Sequence, residues 1–425
     1  MPRIVHIGVG NFHRAHQAWY TARVGGDWSI TGVVMGNAAL YEALRAAPDY
    51  ALGLRSPDGL RVQRIGVHDR YILARQDPTT VIDALADPDV AIVTLTITEA
   101  GYGLASDGTL DLTHPAIAAD LAGQPTSAIG LLAHGLARRV AARAPAVTVM
   151  SCDNLRDNGR TLGAALASFA AAADLTLDPR NRFPNAMVDR ITPATDAGVA
   201  NEIARATGRP ETAPVLTEAF SDWVIEDAFA GPRPAWEAAG AEIVGDVGPF
   251  ETRKLRLLNA AHSYLAYAGQ LAGHTFVHEA IADPALRAGV EGLWDEAEGT
   301  LAPEVRAGAA AYRAALLSRF AVVEMRHTLS QIARDGSLKL RERIAPVIAH
   351  RAEAPWATEA LAAWITVVQR AERGGPAIED RLRAEIAAAL RGGAPIPALA
   401  ALAGIERTDT AWLDDLAARV RQLSS

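Results

Sequence analysis

Over roughly its first 248 residues the chain alternates short β-branched runs with helix-compatible stretches, and beyond them the strand-like runs stop. The runs fall at residues 3–7, 29–35, 91–98, 146–152 and 186–192, and helix-compatible segments separate most of them, for example 80–86, 128–142 and 161–173. Parallel neighbours in a sheet need a crossover segment between them, so this alternation predicts a parallel sheet covered on both faces. From about Gly248 to the end, Ala-, Leu-, Arg- and Glu-rich periodicity predicts a mostly helical second domain, with helix breaks at residues 282–285, 374–376 and 392–395. The expected division is therefore 1–248 and 249–425.

The first run ends in Gly8-Val9-Gly10-Asn11-Phe12-His13 and then a helix-like stretch through Val24. Gly8 and Gly10 match the first two positions of the G-x-G-x-x-G dinucleotide fingerprint, where one glycine allows a tight turn and the next lets backbone N–H groups approach a pyrophosphate. His13 stands where the third glycine belongs. The fingerprint also expects an acid after the second strand to hold a ribose 2′-hydroxyl, and Gly36-Asn37 stands there instead. An asparagine can bond that hydroxyl and no basic pair is near, so the reading is NAD, with NADP left open.

Composition removes other classes. Of 41 basic residues only Lys254 and Lys339 are lysines. Leu255 and Leu340 follow them, where a P-loop requires Ser or Thr. Phe250 and Asp335 stand four residues before them, where a short-chain dehydrogenase has its tyrosine. The single cysteine, Cys152, cannot form an internal disulfide or supply a Cys-based zinc set. A net charge of −8 speaks against nucleic acid as a partner. With no apolar run long enough to cross a bilayer and no signal-like N-terminus, a cytoplasmic protein without a membrane partner is expected.

The helical region begins with Glu251-Thr252-Arg253-Lys254-Leu255-Arg256-Leu257-Leu258-Asn259-Ala260-Ala261-His262. On an α-helix at about 100° per residue, His262 and Asn259 lie about 80° and about 140° from Lys254, so one face presents all three. Arginine cannot give up its proton at a useful pH, whereas a desolvated lysine can act as a general base. In a chain that writes its cations as arginine, a lysine here fits a need for deprotonation. The plainer alternative is a surface cation beside a core histidine. Further polar groups fall at strand ends, where ligands of open α/β sheets bind: Glu99, Asp153 with Asn154, and Asp189. Each taken singly reads as a cap or turn residue.

Several blocks together are specific. Gly8 to His16, Thr98-Glu99-Ala100-Gly101-Tyr102, Ser151-Cys152-Asp153-Asn154-Leu155-Arg156-Asp157-Asn158-Gly159, Pro184 to Arg190, Lys254 with Asn259 and His262, and Gln331 to Asp335-Gly336-Ser337 with Lys339 resemble the mannitol dehydrogenase family of polyol-specific long-chain dehydrogenases. The resemblance runs in order from about residue 3 to residue 345. It implies a Rossmann-like α/β N-terminal domain, a mostly α-helical C-terminal domain and metal-independent hydride transfer. By position it implies Lys254 as general acid/base, Asn154 and Asn259 as oxyanion donors, His262 and Asp189 on substrate hydroxyls, and Glu251 as a proton relay. Arg319, His327 and Lys339 are implied around the substrate. Gly8, Gly10, Asn11, Phe12, Asn37, Thr98 and Glu99 are expected along the dinucleotide. Arg341 stands where family members often carry proline.

The expected activity is interconversion of a mannitol- or arabinitol-like polyol and its ketose by a monomer or small homo-oligomer. A rival within the same chemistry is a fructuronate reductase acting on a sugar acid, with Lys339, Arg319 or Arg326 meeting the carboxylate. A rival from another class is a catalytically silent nucleotide-binding regulator, against which Lys254, Asn259 and Asn154 argue.

Overall fold

The structure, a computed structural model, describes every residue except Met1, Ser106, Ala352 and Ser425. The chain divides into two compact units, Met1–Gly248 and Pro249–Ser425.

Among its described residues the first unit has eleven strands: β1 Arg3–Ile7, β2 Ser29–Val34, β3 Tyr50–Ser56, β4 Gly59–Ile65, β5 His68–Leu73, β6 Val90–Leu95, β7 Thr148–Ser151, β8 Ala186–Asp189, β9 Val215–Glu218, β10 Asp222–Glu226 and β11 Glu242–Val244. Five form a wholly parallel Rossmann-type sheet in the order β5-β2-β1-β6-β7. The order reverses at β1, which places the crevice for a ligand beyond the carboxyl ends of β1, β2 and β6. Side chains alternate across the central strand, and both sides are buried. Val5 and Ile7 join a core with Val81, Leu85, Leu132 and Phe169 from the helices Pro78–Ala86, Ala128–Ala141 and Asn158–Ala172. Ile4 joins the opposite core with Trp19 and Tyr20 of the helix Gln17–Val24 and with Leu52, Val188, Trp223 and Trp236.

That second face departs from the expectation drawn from the strand runs. Residues 186–192 do not extend the parallel sheet: β8 pairs antiparallel with β10 in a separate sheet β11-β10-β8, and a third sheet, β4-β3-β9, holds the hairpin β3–β4. Ala186 and Val188 are buried by packing these short ribbons onto the main sheet, and a four-residue apolar run carries no signal of strand direction. Residues 96–98 also leave β6 rather than prolonging it. The helix after the glycine turn breaks at His16 (φ −117°, ψ −89°) into Asn11–Ala15 and Gln17–Val24.

The second unit is helical, and among its described residues the only β-pairing is an isolated bridge between Phe276 and Thr328. The first helical run starts at Gly248–Arg253 and continues as a π-helix at Lys254–Asn259, an α-helix at Ala260–Tyr264 and a second π-helix at Leu265–Gly269. Breaks occur at Asp283, which caps Pro284–Glu298, after Pro355–Glu372, and between Arg383–Arg391 and Pro395–Leu402. No helix among the described residues is long and apolar enough to cross a membrane.

Candidate active site

At the end of β1, Gly8 adopts φ +98°, and a Cβ there would lie 2.2 Å from the Thr96 carbonyl oxygen. Only glycine fits that turn. The Thr96 hydroxyl donates to the Gly8 carbonyl at 2.9 Å and fixes it. The place of the missing third glycine is met differently: the His13 ring stacks on His6 of β1 with centroids 3.4 Å apart and planes 12° apart. A flat ring on a flat ring gives the close helix–strand approach that the fingerprint obtains by omitting a side chain. His13 Nε2 and His68 Nε2 lie 2.9 Å apart, so one nitrogen donates and the other accepts. Burial holds His6 and His13 well below the usual histidine pKa and pushes His68 down to about 3.

Beyond this turn lies a cavity of about 430 Å³, lined by Gly8, Val9, Met35, Asn37, Thr96 and Thr98 among others. Asn37 stands at the end of β2, and its side-chain oxygen caps the helix Ala38–Ala46 through the Leu40 N–H at 3.0 Å. Asn11 spends its side chain locally, donating to the Pro193 carbonyl at 3.2 Å and accepting from Arg14 at 2.7 Å. Phe12 stacks on His16 with centroids 5.0 Å apart. Glu99 is exposed and opens a 3₁₀ turn, Glu99–Tyr102, whose last residue is buried. Gly10 precedes the helix Asn11–Ala15, and a Cβ there would meet only the Gly8 oxygen, at 3.8 Å. Asn154 is exposed just beyond β7, and Asp189 is the buried last residue of β8.

In the helical unit the π-helix Lys254–Asn259 changes the expected geometry. In an i→i+5 ladder, residues five apart come nearly into line along the axis, instead of the roughly 140° separation of an α-helix. Lys254 and Asn259 are five apart and form the two ends of that segment. Side chains support it: Trp294 Nε1 donates to the Leu257 carbonyl at 2.8 Å, and Arg343 donates to the Asn259 carbonyl at 3.3 Å and to the Ser263 hydroxyl at 3.0 Å. Glu251 is buried one turn earlier, in Gly248–Arg253.

His262, four-fifths of a turn further, packs against Phe320 with centroids 4.8 Å apart and edge-on to His327 at 5.3 Å. Burial first, and then His327, Arg319, Arg343 and Lys339, hold His262 well below its usual pKa. His327 is lowered by burial and by Lys339. The cations and the two neutral rings thus form one cluster. Lys339 sits on the helix Gly336–Arg343, which the Asp335-Gly336-Ser337 block anchors: the Ser337 hydroxyl donates to Asp380 at 2.5 Å, and Asp335 accepts from the Arg381 N–H at 3.0 Å. Lys339 also donates to the Ile332 carbonyl at 3.1 Å. Arg343 was not singled out from the sequence, although it stands one helical turn from Lys339. Arg326 lies over the Phe276 ring, 4.9 Å from its centroid. Among the described residues no cluster of histidine, cysteine and carboxylate side chains could hold a metal ion.

A Rossmann-type sheet with a glycine turn opening on a cavity, followed by a helical unit that gathers a lysine, an asparagine and neutral histidines, defines a two-unit nucleotide-dependent oxidoreductase. Comparison with known proteins makes this specific. The mannitol dehydrogenase Rossmann domain model matches residues 2–238 and the mannitol dehydrogenase C-terminal domain model matches residues 246–406. The chain belongs to the mannitol dehydrogenase family. It is 41% identical to a D-arabinitol 4-dehydrogenase of Ralstonia nicotianae, over 85% of this chain and 82% of the relative. It is 38% identical to a D-mannonate oxidoreductase of Escherichia coli, over 96% and 89%. The solved mannitol 2-dehydrogenase of Pseudomonas fluorescens, a ternary complex with NAD and D-mannitol, superposes with a TM-score of 0.82 at 34% identity, covering 100% of this chain and 91% of that one.

Proposed function

We propose that this protein is an NAD-dependent, metal-independent dehydrogenase that interconverts a secondary alcohol of a mannitol- or arabinitol-like polyol and the corresponding ketose. The observation that carries the reading is the π-turn, which aligns Lys254 with Asn259, a proton-exchanging group with a neutral donor. The residues of the first unit fit a dinucleotide: the glycine turn leaves no room for a Cβ, and the cavity beyond it is of ligand size. Among the described residues lining that cavity there is no lysine or arginine to meet a 2′-phosphate, and Asn37 keeps its amide N–H₂ for a ribose hydroxyl, which favours NAD.

The nicotinamide supplies the hydride acceptor for alcohol oxidation and the donor for ketone reduction. Lys254 takes the hydroxyl proton in oxidation and returns it in reduction, and Glu251, on the preceding turn, exchanges it with solvent. Asn259 and Asn154 donate to the developing alkoxide, and neither adds a charge that would trap it. His262 and Asp189 orient further hydroxyls. His262, held neutral, offers one donor and one acceptor to a polyol.

A second reading has its own support. Arg319, Lys339 and Arg343 gather around His262, more positive charge than a neutral polyol requires, and a sugar acid would use it. Reduced-nicotinamide absorbance followed with mannitol, arabinitol, fructose and fructuronate, under NAD(H) and then NADP(H), separates the readings. Turnover with none of them would remove both. Lys254→Ala is expected to lower kcat by about 10²–10⁴-fold while leaving NADH binding largely intact. Near-normal turnover in that variant would reject Lys254 as the acid/base.

A further inference from the structure

Where the chain leaves β6, Thr98 adopts φ 63° and ψ 162°. This is territory that essentially only glycine occupies, and for a β-branched residue it is strained. Strain of this kind persists only where the surroundings over-determine it. Here the determinant is one carboxylate from the end of the neighbouring strand. Asp153 accepts the Ile97 N–H on Oδ2 and the Thr98 N–H on Oδ1, both at 2.9 Å. Oδ2 also accepts the Tyr102 hydroxyl at 2.8 Å. Since that proton is spent on Asp153, the contact of Tyr102 with Ser151 Oγ at 2.6 Å must be donated by the serine, whose oxygen in turn accepts the Asp153 N–H at 3.3 Å. Ser151 and Tyr102 are fully buried, and Asn158 holds the Asp153 carbonyl at 3.1 Å. Both carboxylate oxygens of Asp153 are therefore engaged, and its backbone is held as well.

We infer that Asp153 is a positioning residue: its carboxylate clamps Ile97 and Thr98 in a conformation they would not hold alone, and so sets the wall of the cavity that Thr98 lines. The inference rests on reading that cavity as the dinucleotide site. Burial raises the pKa of the Asp153 carboxyl, while the N–H groups and the Tyr102 hydroxyl counter it, as expected for an anion enclosed by donors. The clamp also ties the loop to the residue preceding Asn154, so cavity wall and proposed oxyanion donor share one frame.

The test is a cycle of Asp153→Asn, Thr98→Gly and the double variant in the full-length protein, read by NADH fluorescence titration and thermal melting. An amide keeps one acceptor but turns N–H₂ toward a backbone N–H, so Asp153→Asn should weaken NADH binding about tenfold or more. Adding Thr98→Gly should recover most of that loss, because glycine reaches this conformation without a clamp. A carboxylate that merely stabilised the fold would lower Tm without such a rescue of affinity. Unchanged NADH affinity in Asp153→Asn, or a double variant no better than Asp153→Asn, would overturn the clamp. If the parent protein binds no NADH, the dinucleotide reading itself fails, and the clamp is then judged by melting alone: the double variant must melt above Asp153→Asn, and a lower Tm would overturn it.

Discussion

Arg139 shows why this chain uses arginine wherever a cation must be fixed. It is only 3% exposed, and its guanidinium serves four carbonyls: Nη1 donates to Leu85 at 3.0 Å and Asp87 at 2.8 Å, and Nη2 to Val90 at 3.0 Å and Pro145 at 2.7 Å. Burial lowers its pKa, yet guanidinium stays charged under any working condition. An ammonium is a single point that cannot span four acceptors. Arg139→Lys is therefore expected to destabilise the protein by about 2–4 kcal/mol, seen as a lower urea midpoint. An unchanged midpoint would reject the staple. In the proposed mechanism Lys254 occupies the opposite niche, where a proton must leave, and that contrast is legible in composition alone. Asp153 is not. It reads as a turn residue because its partners, Ile97 and Thr98, lie some 55 residues away in sequence and meet it only once β6 and β7 pair.

The largest mismatch between sequence pattern and structure among the elements is the π-helix. A wheel drawn at about 100° per residue sets Lys254 and Asn259 apart, and nothing in Lys254 to Asn259 announces the wider turn. Its support comes from Trp294 and Arg343, which belong to other helices and are invisible to a local pattern. Inserting an alanine after Leu255 should set Lys254 and Asn259 six residues apart, about 120° on an α-helix, and so rotate Asn259 away from Lys254. Helical content by circular dichroism and NADH affinity should stay near the parent values, while turnover falls by about 10²-fold or more. Turnover within about threefold of the parent would show that the wider turn is incidental. The hairpin β3–β4, by contrast, carried a readable signal that strand spacing alone passed over: Ser56-Pro57-Asp58-Gly59 is a turn sequence, and Gly59 adopts φ +119°. Four of the five parallel strands, β1, β2, β6 and β7, were legible because each is an apolar run buried on both faces, whereas β5 opens with His68-Asp69-Arg70 and exposes two of these, and β8 to β11 are ribbons of three to five residues that depend on the main sheet for their burial.

For the whole molecule, both units bury histidines in the neutral form, and that sets how the protein responds to acid. His6, His13 and His68 in the first unit and His262 and His327 in the second are all held below the usual value, with burial the leading cause. In the unfolded chain a histidine takes up its proton near about pH 6.5. Below that pH the unfolded state binds protons that the folded state refuses, so stability falls as pH falls, from about 6.5 down to each folded pKa, which for His68 is about 3. Each histidine inside this window costs about 1.4 kcal/mol per pH unit. Asp153 and Glu296 act in the opposite sense, because burial raises their pKa and the folded state takes up their protons first. Two carboxyls starting from about pH 4 cannot offset five histidines starting from about pH 6.5. Tm should therefore be lower at pH 5 than at pH 7. His68→Gln, which can keep a hydrogen bond to His13 but cannot titrate, should make the decline shallower by about one proton's worth. Equal melting temperatures at the two pH values, or a His68→Gln variant with the parent's slope, would mean that the buried rings already carry their protons in the folded state.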